Sequence, residues 1–172
     1  MKHNSNYVYL AIGSNLKLLP YSNISKLHDN IKLRLPKIGL RVIKYSSIWK
    51  TYPIPYSNIP LFVNSVVKCS IINKNINEPQ YLLKQIKALE KKIGRKKSKF
   101  SISRAIDIDI IDYKGLVFND KLILPHPRLH LRKFVLYPMQ MIARNWKHPI
   151  YKKDIKFLAA KIKTKQHLRK KL

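Results

Sequence analysis

Four stretches of the chain carry apolar residues in the patterns of β-strands. Side chains on a strand point alternately to its two faces, so alternation indicates a half-buried strand and a continuous apolar run indicates a buried one. These patterns predict strands over residues 7–12 (YVYLAI), 40–51 (LRVIKYSSIWKT), 61–72 (LFVNSVVKCSII) and 104–112 (RAIDIDIID).

Three other segments place apolar residues three or four positions apart, which is the spacing of one helix face. The first covers residues 21–35. The second begins with the Glu-Pro pair at 78–79, where proline suits the first turn, and closes at Gly94, which accommodates a left-handed cap. The third covers residues 133–144, although Pro138 could interrupt it.

The order of these elements is β-α-β-β-α-β, followed by further turns and helices. This is the order of the ferredoxin-like, split βαβ arrangement. We therefore predict an α+β fold, a ferredoxin-like antiparallel sheet with helices packed on one face, plus extra C-terminal strands and helices. A length of 172 residues predicts one domain, expected over residues 1–160, with a basic C-terminal tail over 161–172.

The chain carries 36 Lys and Arg residues against 8 Asp and Glu residues, a formal net charge of +28. Such a charge is typical of proteins that bind nucleic acids. The abundance of Lys, Ile and Asn is also the mark of codon choice in an AT-rich genome, and the basic residues are spread along the whole chain. We favour compositional drift over a dedicated nucleic-acid surface.

No apolar run approaches the length of a membrane span, which predicts a protein without membrane segments. The apolar stretch near the N-terminus is too short and too polar for a secretory signal. Cys69 is the single cysteine, so no disulfide can form within the chain. A cytoplasmic protein is the expectation.

Three of the eight acidic residues, Asp107, Asp109 and Asp112, fall within six consecutive positions. On a strand, Asp107 and Asp109 share one face about 6–7 Å apart, where they repel each other unless a cation lies between them. Carboxylates of this kind suit Mg²⁺, although an exposed strand face paired with lysines is the alternative. Asp112 has the opposite parity and is predicted to end the strand.

Arginine is concentrated around this strand. Only eight arginines exist, and four of them, Arg95, Arg104, Arg128 and Arg132, fall in this part of the chain. Paired carboxylates flanked by cations are what phosphoryl transfer requires, because the cations neutralise charge that develops on the phosphate oxygens. Neither G-x-x-x-x-G-K-[ST] nor G-x-G-x-x-G occurs, which excludes the P-loop and protein-kinase classes.

Two phenylalanines and an asparagine suggest a site for a flat ring. Phe62 and Asn64 share a strand face, and Phe134 closely follows Arg132. An amide beside an aromatic face offers a donor and an acceptor to a heterocycle. The alternative is that both phenylalanines belong to the core.

Six segments resemble, in order along the chain, the motifs of the 6-hydroxymethyl-7,8-dihydropterin pyrophosphokinase family. They are YLAIGSNL, SSIWKTYPI, PLFVNSVV, LEKKIGRKK, SRAIDIDIID and LPHPRLHLRKFVLYPM, and together they run from about Tyr7 to about Arg144. The resemblance implies an ATP-dependent diphosphotransferase of folate biosynthesis. It implies transfer of pyrophosphate from ATP to the hydroxymethyl group of a reduced pterin, with release of AMP.

The resemblance also implies roles for individual residues. It implies that two Mg²⁺ ions are held by Asp107 and Asp109, which with Arg95 and Arg104 form the expected catalytic set. It implies that the pterin is contacted by Thr51, Ile54, Phe62, Asn64 and Phe134. It implies that ATP, the co-substrate, is bound by Arg95, Lys97, Arg104, Lys121, His126 and Arg132, with Glu90 near the nucleotide.

The chain departs from the family pattern without losing a metal ligand. Ile102-Ser103 replaces the Gly-Pro pair before the signature arginine, and Lys97 and Lys121 stand where arginine is common. The alternatives are a basic ferredoxin-like nucleic-acid module and a protein that retains only the fold. The strands lack the aromatic stacking pattern of an RNA-binding sheet, which disfavours the module. A monomer that binds only small-molecule substrates is expected.

Overall fold

A computed structural model of the protein describes residues 6–15, 24–52, 60–95, 106–163 and 167–170. The strands of these segments are β1 (Tyr7–Ser14), β2 (Leu40–Tyr45), β3 (Trp49–Thr51), β4 (Phe62–Ile71), β5 (Asp107–Tyr113), β6 (Phe118–Asn119), β7 (Ile123–Leu124) and β8 (Leu168–Lys170). The α-helices are α1 (Ile24–Arg34), α2 (Pro79–Ile93), α3 (Lys133–Ile142) and α4 (Ile155–Lys161), and short 3₁₀ helices cover Leu35–Ile38 and Leu129–Leu131.

A six-stranded antiparallel sheet organises the described chain. Its strands run in the order β5-β1-β4, and both β2 and β3 pair with the far edge of β4. The hairpin of β6 and β7 is separate from it. The prediction of an α+β protein with an antiparallel sheet is confirmed. Among the described residues, no helix is long and apolar enough to cross a membrane.

The stretch predicted as one strand over residues 40–51 is two strands, with a break at 46–48. Ser46 bridges the break, because its backbone N–H donates to the Val66 carbonyl and its hydroxyl accepts from the Val66 N–H, both at 2.9 Å. The side chain thus replaces a backbone carbonyl in the ladder, and the chain bends without leaving a buried amide unpaired.

The first hydrophobic core lies between the sheet and helices α1 and α2. The inward residues of β1 are Val8, Leu10 and Ile12, and all three are fully buried with the apolar stripes of both helices. The predicted end of α2 is confirmed at Gly94, which has a φ of 109° and donates its N–H back to the last turn. A residue with a Cβ would be strained in this conformation.

Helices also cover the second face of the sheet, so the prediction that they pack on one face is wrong. Tyr9, Val66 and Ile111 point to this face and form a second core with α3 and α4. The reason is that the central strands are apolar on both faces, and exposing either face to water would be unfavourable. Pro138 lies inside α3 without ending it.

The expectation that Asp112 shares a face with the isoleucines and ends its strand is also wrong. Tyr9 lies opposite Asp112 and Leu10 opposite Ile110, so Ile111 is an extra residue that forms a β-bulge. The bulge reverses the parity and turns Asp112 toward the second core. There its carboxylate accepts hydrogen bonds from the Trp146 indole N–H and a backbone N–H, and burial raises its pKa.

Part of the basic C-terminal segment belongs to the sheet. Residues Leu168–Lys170 form β8, which pairs with β3 in antiparallel register. The sequence predicted only a basic tail here and no strand, and the strand forms because the outer edge of β3 offers backbone groups that an added strand can pair. The domain boundary at residue 160 stays a prediction.

A buried histidine ties α1 to the sheet. His28 is fully buried, and its Nε2 and Nδ1 atoms lie 3.0 Å from the Ser14 hydroxyl and 2.8 Å from the Ser65 hydroxyl. The Tyr45 hydroxyl lies 2.9 Å from the same Ser65 oxygen. The network satisfies four polar groups inside the first core and anchors the end of β1.

Protonation of His28 is expected to destabilise the fold at acid pH. Burial lowers its pKa from 6.5 to about 4, so the folded protein binds fewer protons than the unfolded chain between these values. Stability is therefore complete above pH 6.5 and is lost as the pH falls toward 4, by about 3 kcal/mol for this group. Urea unfolding across this range should show the loss in the wild type and a smaller loss in His28→Gln.

His148 serves as an internal reference in the same experiment. Burial lowers its pKa to about 4 as well, so it contributes the same pH dependence to both proteins. Equal losses of stability in the wild type and in His28→Gln would show that protonation of His28 does not cause the loss.

Candidate active site

A row of four residues crosses the sheet near the end of β1. Gly13 lies directly opposite Asp107 on β5 and opposite Asn64 on β4, and Asn64 lies opposite Trp49 on β3. Opposed residues share a face, and Ala11 packs with the α3 core, so the row faces α3. Since strands lie about 4.8 Å apart, Asp107 and Asn64 are about 10 Å apart across Gly13.

Gly13 lets the Asn64 amide oxygen lie close to the backbone of β1. A Cβ at this position would lie 3.2 Å from Asn64 Oδ1, closer than ordinary contact. The Asn64 side chain donates from Nδ2 to Thr51 Oγ1 at 3.0 Å, which fixes its orientation. At the far end of the row Trp49 stacks on Tyr137 of α3, with ring centres 6.0 Å apart. Trp49 at one end of the row is thus covered by α3, whereas Asp107 at the other end is partly exposed.

The first of two carboxylate clusters surrounds Asp107. Arg95 Nη1 lies 2.9 Å from Asp107 Oδ1 and also binds Glu90, while Lys87 Nζ lies 3.0 Å from Glu90 and 3.9 Å from Asp107. Glu90 accepts the backbone N–H of Ile108 at 2.7 Å on the edge strand. Burial lowers the pKa of Arg95, but the two carboxylates outweigh it and raise this pKa overall. Arg95 is therefore a fixed cation beside Asp107.

The second cluster surrounds Asp109. Arg132 Nη1 and His126 Nε2 lie 3.4 Å and 3.8 Å from Asp109 Oδ2. The His126 backbone N–H donates to the Ile111 carbonyl at 2.9 Å, which holds the segment after β7 against β5. Burial and the nearby Arg132 lower the pKa of His126, so this imidazole is neutral near pH 7. Burial also lowers the pKa of Arg132, against the opposing effect of Asp109.

Two aromatic rings border the row on the same face. Phe134 packs partly against the second core, and its ring centre lies 5.4 Å from the guanidinium carbon of Arg132. Phe62 on β4 lies opposite Thr51 on β3. It points to the same face as Asn64 and is half-buried. The prediction that both rings contact a flat ligand stays a prediction, and their positions are compatible with it.

The fold brings most of the predicted site residues to one end of the sheet. They are Thr51, Phe62, Asn64, Glu90, Arg95, Asp107, Asp109, His126, Arg132 and Phe134. Lys121 is exposed in the turn between β6 and β7. Ile54, Lys97 and Arg104 lie outside the described residues.

Glu90 is buried in the structure. Its side chain is only 1% exposed and is engaged by Lys87, Arg95 and the backbone of β5. Contact between Glu90 and a nucleotide stays a prediction. In the structure this carboxylate positions Arg95.

Sequence reasoning missed Gly13 and Lys87. Gly13 had a signal, because it closes a buried strand in a chain with only four glycines. Lys87 lies three positions before Glu90 on α2, a spacing that places two side chains side by side. That signal was hidden because lysines are common along the whole chain.

The two aspartates fit a magnesium ion better than a transition metal. Within the described residues, no group of three or more His, Cys, Asp or Glu side chains is arranged to hold a metal. Mg²⁺ is usually held by one or two carboxylates together with substrate phosphates and water. Asp107 and Asp109 are partly exposed carboxylates on one strand face, which would suit that mode.

The fold and the site together are typical of one class of protein, an α+β enzyme that transfers phosphoryl groups. The sequence model of the 7,8-dihydro-6-hydroxymethylpterin-pyrophosphokinase (HPPK) family matches residues 9–144. The chain belongs to this family. Members are ATP-dependent enzymes of folate synthesis that transfer pyrophosphate to a hydroxymethyl dihydropterin, so the predicted family and enzyme class are confirmed.

Similar proteins include single enzymes and parts of larger ones. The chain is 38% identical over 150 residues to the 2-amino-4-hydroxy-6-hydroxymethyldihydropteridine pyrophosphokinase of Aquifex aeolicus, covering 87% of this chain and 88% of that protein. It is 34% identical to the folic acid synthesis protein fol1 of Pneumocystis carinii, over 83% of this chain. It spans only 18% of that longer protein.

A solved structure shows the same fold. A triple mutant of Plasmodium falciparum HPPK-DHPS superposes with a TM-score of 0.70, over 90% of this chain and 43% of that one. The sequence identity is 15%, so this likeness concerns the fold alone.

Removing the charge of Glu90 is expected to weaken both the fold and the site. In Glu90→Gln the amide can still accept the Ile108 N–H, but Arg95 loses its buried counter-ion. We expect a loss of about 2 kcal/mol in the free energy of unfolding, measured in urea.

Glu78→Gln provides a matched control at an exposed position just before the same helix. It should change the free energy of unfolding by no more than about 0.5 kcal/mol. Equal effects of the two substitutions would show that Glu90 does not hold the cluster.

Proposed function

We propose that this chain transfers pyrophosphate from ATP to 6-hydroxymethyl-7,8-dihydropterin and releases AMP. The observation that carries the proposal is the row through Gly13. It sets the partly exposed Asp107 on one side and Asn64 with its aromatic neighbours on the other. A triphosphate and a flat ring could therefore lie about 10 Å apart or less, with no side chain of Gly13 between them.

We infer that the sheet is a ferredoxin-like one. When β2 and β3 are counted as one interrupted strand, the elements follow the order β-α-β-β-α-β. Numbered in chain order, the four strands are then β1, β2 with β3, β4 and β5, and they lie in the sheet in the order 4-1-3-2. This arrangement supports the proposal, because the central strand β1 then lies directly between the carboxylate strand and the strand that carries Asn64.

Asp107 and Asp109 would hold two Mg²⁺ ions between them. When bound, these ions would neutralise charge on the triphosphate and orient it. In the structure each carboxylate already faces a cation, Arg95 for Asp107 and Arg132 for Asp109. We infer that these arginines turn from carboxylate to phosphate oxygens when the substrate binds, since both are partly exposed and carry several donors.

The remaining candidates fall into two groups. His126 lies against Arg132 and is neutral near pH 7, so it would donate a hydrogen bond to phosphate rather than a charge. Lys97, Arg104 and Lys121 are proposed as further phosphate contacts from the family resemblance. The bond to the attacking hydroxyl would form in a loose transition state, in which positioning and charge neutralisation outweigh proton removal.

The pterin would lie between Phe62 and Phe134, with its edge toward Asn64. The Thr51–Asn64 hydrogen bond fixes which amide atoms remain for the ligand. Thr51 and the backbone near Ile54 are proposed as further contacts. Stacking between two rings supplies affinity, and the amide supplies recognition of the ring edge.

We also propose that the chain acts as a monomer, a proposal supported by its similarity along most of its length to the single enzyme of Aquifex aeolicus. A nucleic-acid module on the same sheet remains the rival function. The face that would stack bases is covered by α3, which disfavours it.

Substituting either aspartate is expected to abolish AMP formation without unfolding the protein. We expect Asp107→Ala and Asp109→Ala to lower turnover roughly 10²–10³-fold or more, because triphosphate charge would no longer be neutralised. AMP release is measured with ATP, Mg²⁺ and the pterin, and thermal unfolding is recorded in parallel.

Asp29→Ala is the charge-matched control, at an exposed position on α1. It should leave turnover unchanged. Near-normal turnover in either aspartate variant would refute the assignment of the metal ligands.

Shortening Phe134 is expected to weaken pterin binding specifically. We predict that Phe134→Ala raises KM for the pterin about tenfold, the usual effect of one lost stacking contact. KM for ATP should change far less. Phe157→Ala, at an exposed ring on α4, is the control, and an equal rise in both KM values would argue against a stacking role.

A further inference from the structure

A second cavity, of about 1100 Å³, lies at the opposite end of the sheet from the site proposed above. Its floor is a cross-strand row. Lys44 on β2 is opposite Lys68 on β4, Lys68 is opposite Tyr9 on β1, and Tyr9 is opposite Asp112 on β5. All four residues line the cavity, and Trp146 forms part of its wall.

Two β-bulges converge on this row. One lies at Ile43, because Val42 pairs with Cys69 and Lys44 with Lys68. The other is the bulge in β5 that turns Asp112 to this face. In regular strands, isoleucines would occupy both outer positions of the row, so each bulge replaces an apolar side chain with a charged one. Bulges commonly re-aim side chains beside binding sites.

The row contains a destabilising contact. Lys44 and Lys68 have the same charge and lie directly opposite each other, an arrangement that weakens strand pairing. Burial lowers the pKa of Lys68, and Lys44 lowers it further. All eight acidic residues lie in the described segments, and none forms an ion pair with either lysine. Within the described chain, the Lys68 ammonium is instead stabilised by the Tyr7 ring, whose centre lies 3.6 Å from Nζ, and no carboxylate neutralises either lysine.

Further cations face the same space. Arg144, Lys147 and Lys152 line the cavity above the row. The one carboxylate there, Asp112, is occupied by the Trp146 indole and a backbone N–H. The Tyr9 hydroxyl stays protonated near neutral pH, since burial and then Asp112 raise its pKa to about 12. The cavity thus offers five cations and a hydroxyl donor.

We propose that this cavity binds a compact anion that carries two or more phosphoryl groups. Lysines bind phosphate as point charges, and such an anion would turn the repulsion between Lys44 and Lys68 into a shared attraction. A single phosphate would reach fewer of these five cations at once than an anion with two or more phosphoryl groups. The cations also converge on a concave space, which suits a small polyanion better than an extended nucleic acid.

The cavity is separate from the carboxylate site. Tyr9 and Gly13 are four residues apart on β1, which corresponds to about 13 Å along the strand. Both rows lie on the α3 face, but no residue belongs to both. The proposal therefore stands or falls independently of the pterin and ATP assignments.

Titration calorimetry of the full chain with inorganic pyrophosphate, without divalent cations and at about 150 mM salt, tests the proposal. We expect one saturable site whose Kd rises about tenfold or more in Lys44→Gln/Lys68→Gln, because two charge-assisted contacts are lost. Arg132→Gln should retain this binding, which separates the cavity from the carboxylate site. No saturable binding to the wild type would overturn the proposal.

The control replaces two exposed lysines on the other side of the sheet, as Lys37→Gln/Lys84→Gln. It should bind pyrophosphate as the wild type does, and an equal loss in this variant would reduce the effect to net charge. The Lys44→Gln/Lys68→Gln variant should also keep normal AMP formation. The single variant Lys44→Gln removes the like charge but keeps the contact of Lys68 with the Tyr7 ring, so it should unfold at an equal or higher temperature. A lower unfolding temperature of Lys44→Gln would contradict the interpretation that Lys44 and Lys68 repel each other.

The source of the diphosphate is distinguished by titrating ADP and AMP. Equal affinity for pyrophosphate and ADP supports recognition of the diphosphate alone, and tighter binding of ADP supports a nucleotide diphosphate. Equal affinity for AMP and ADP would overturn the requirement for two phosphoryl groups. A single-stranded RNA that binds through Lys44 and Lys68 while pyrophosphate does not would assign the cavity to a nucleic-acid surface instead.

Discussion

Burial of both faces of β1 is the constraint on which the rest of the structure depends. Val8, Leu10 and Ile12 fill the core under α1 and α2, while Tyr9 and Ala11 meet the core under α3 and α4. Because apolar packing occupies the middle of the strand on both sides, most polar groups beside it lie toward its two ends. The two ends differ in charge, with carboxylates among cations at one and lysines around a cavity at the other.

The small number of carboxylates affects the sites at both ends of β1. With eight carboxylates against 36 basic residues, most cations have no ion-pair partner available, and several acids are held in defined contacts. Glu90 fixes Arg95, Asp109 faces Arg132 and Asp112 accepts from Trp146. At the site proposed for ATP, carboxylates and cationic side chains therefore pair with one another. In the second cavity cationic side chains are in excess, which is the reason for proposing that it binds an anion.

The sequence predicted the elements more reliably than their relations. The ends of α2, the strand with Asp107 and Asp109, and their shared face follow from local spacing and from the conformations that proline and glycine allow. The bulges at Ile43 and Ile111 could not be predicted, because an extra residue in a strand leaves no trace in an alternating pattern. The second helical layer could not be predicted either, because the sequence of a strand that is apolar on both faces does not show which element covers each face.

By itself, the sequence determined the element types, the carboxylate pair and the family resemblance, because these depend on residues close together in the chain. Only the tertiary structure decided that Gly13 separates Asp107 from Asn64 and that Glu90 is buried as a support for Arg95. Both depend on strand register and helix placement. These are fixed by packing between distant segments, which no local pattern encodes.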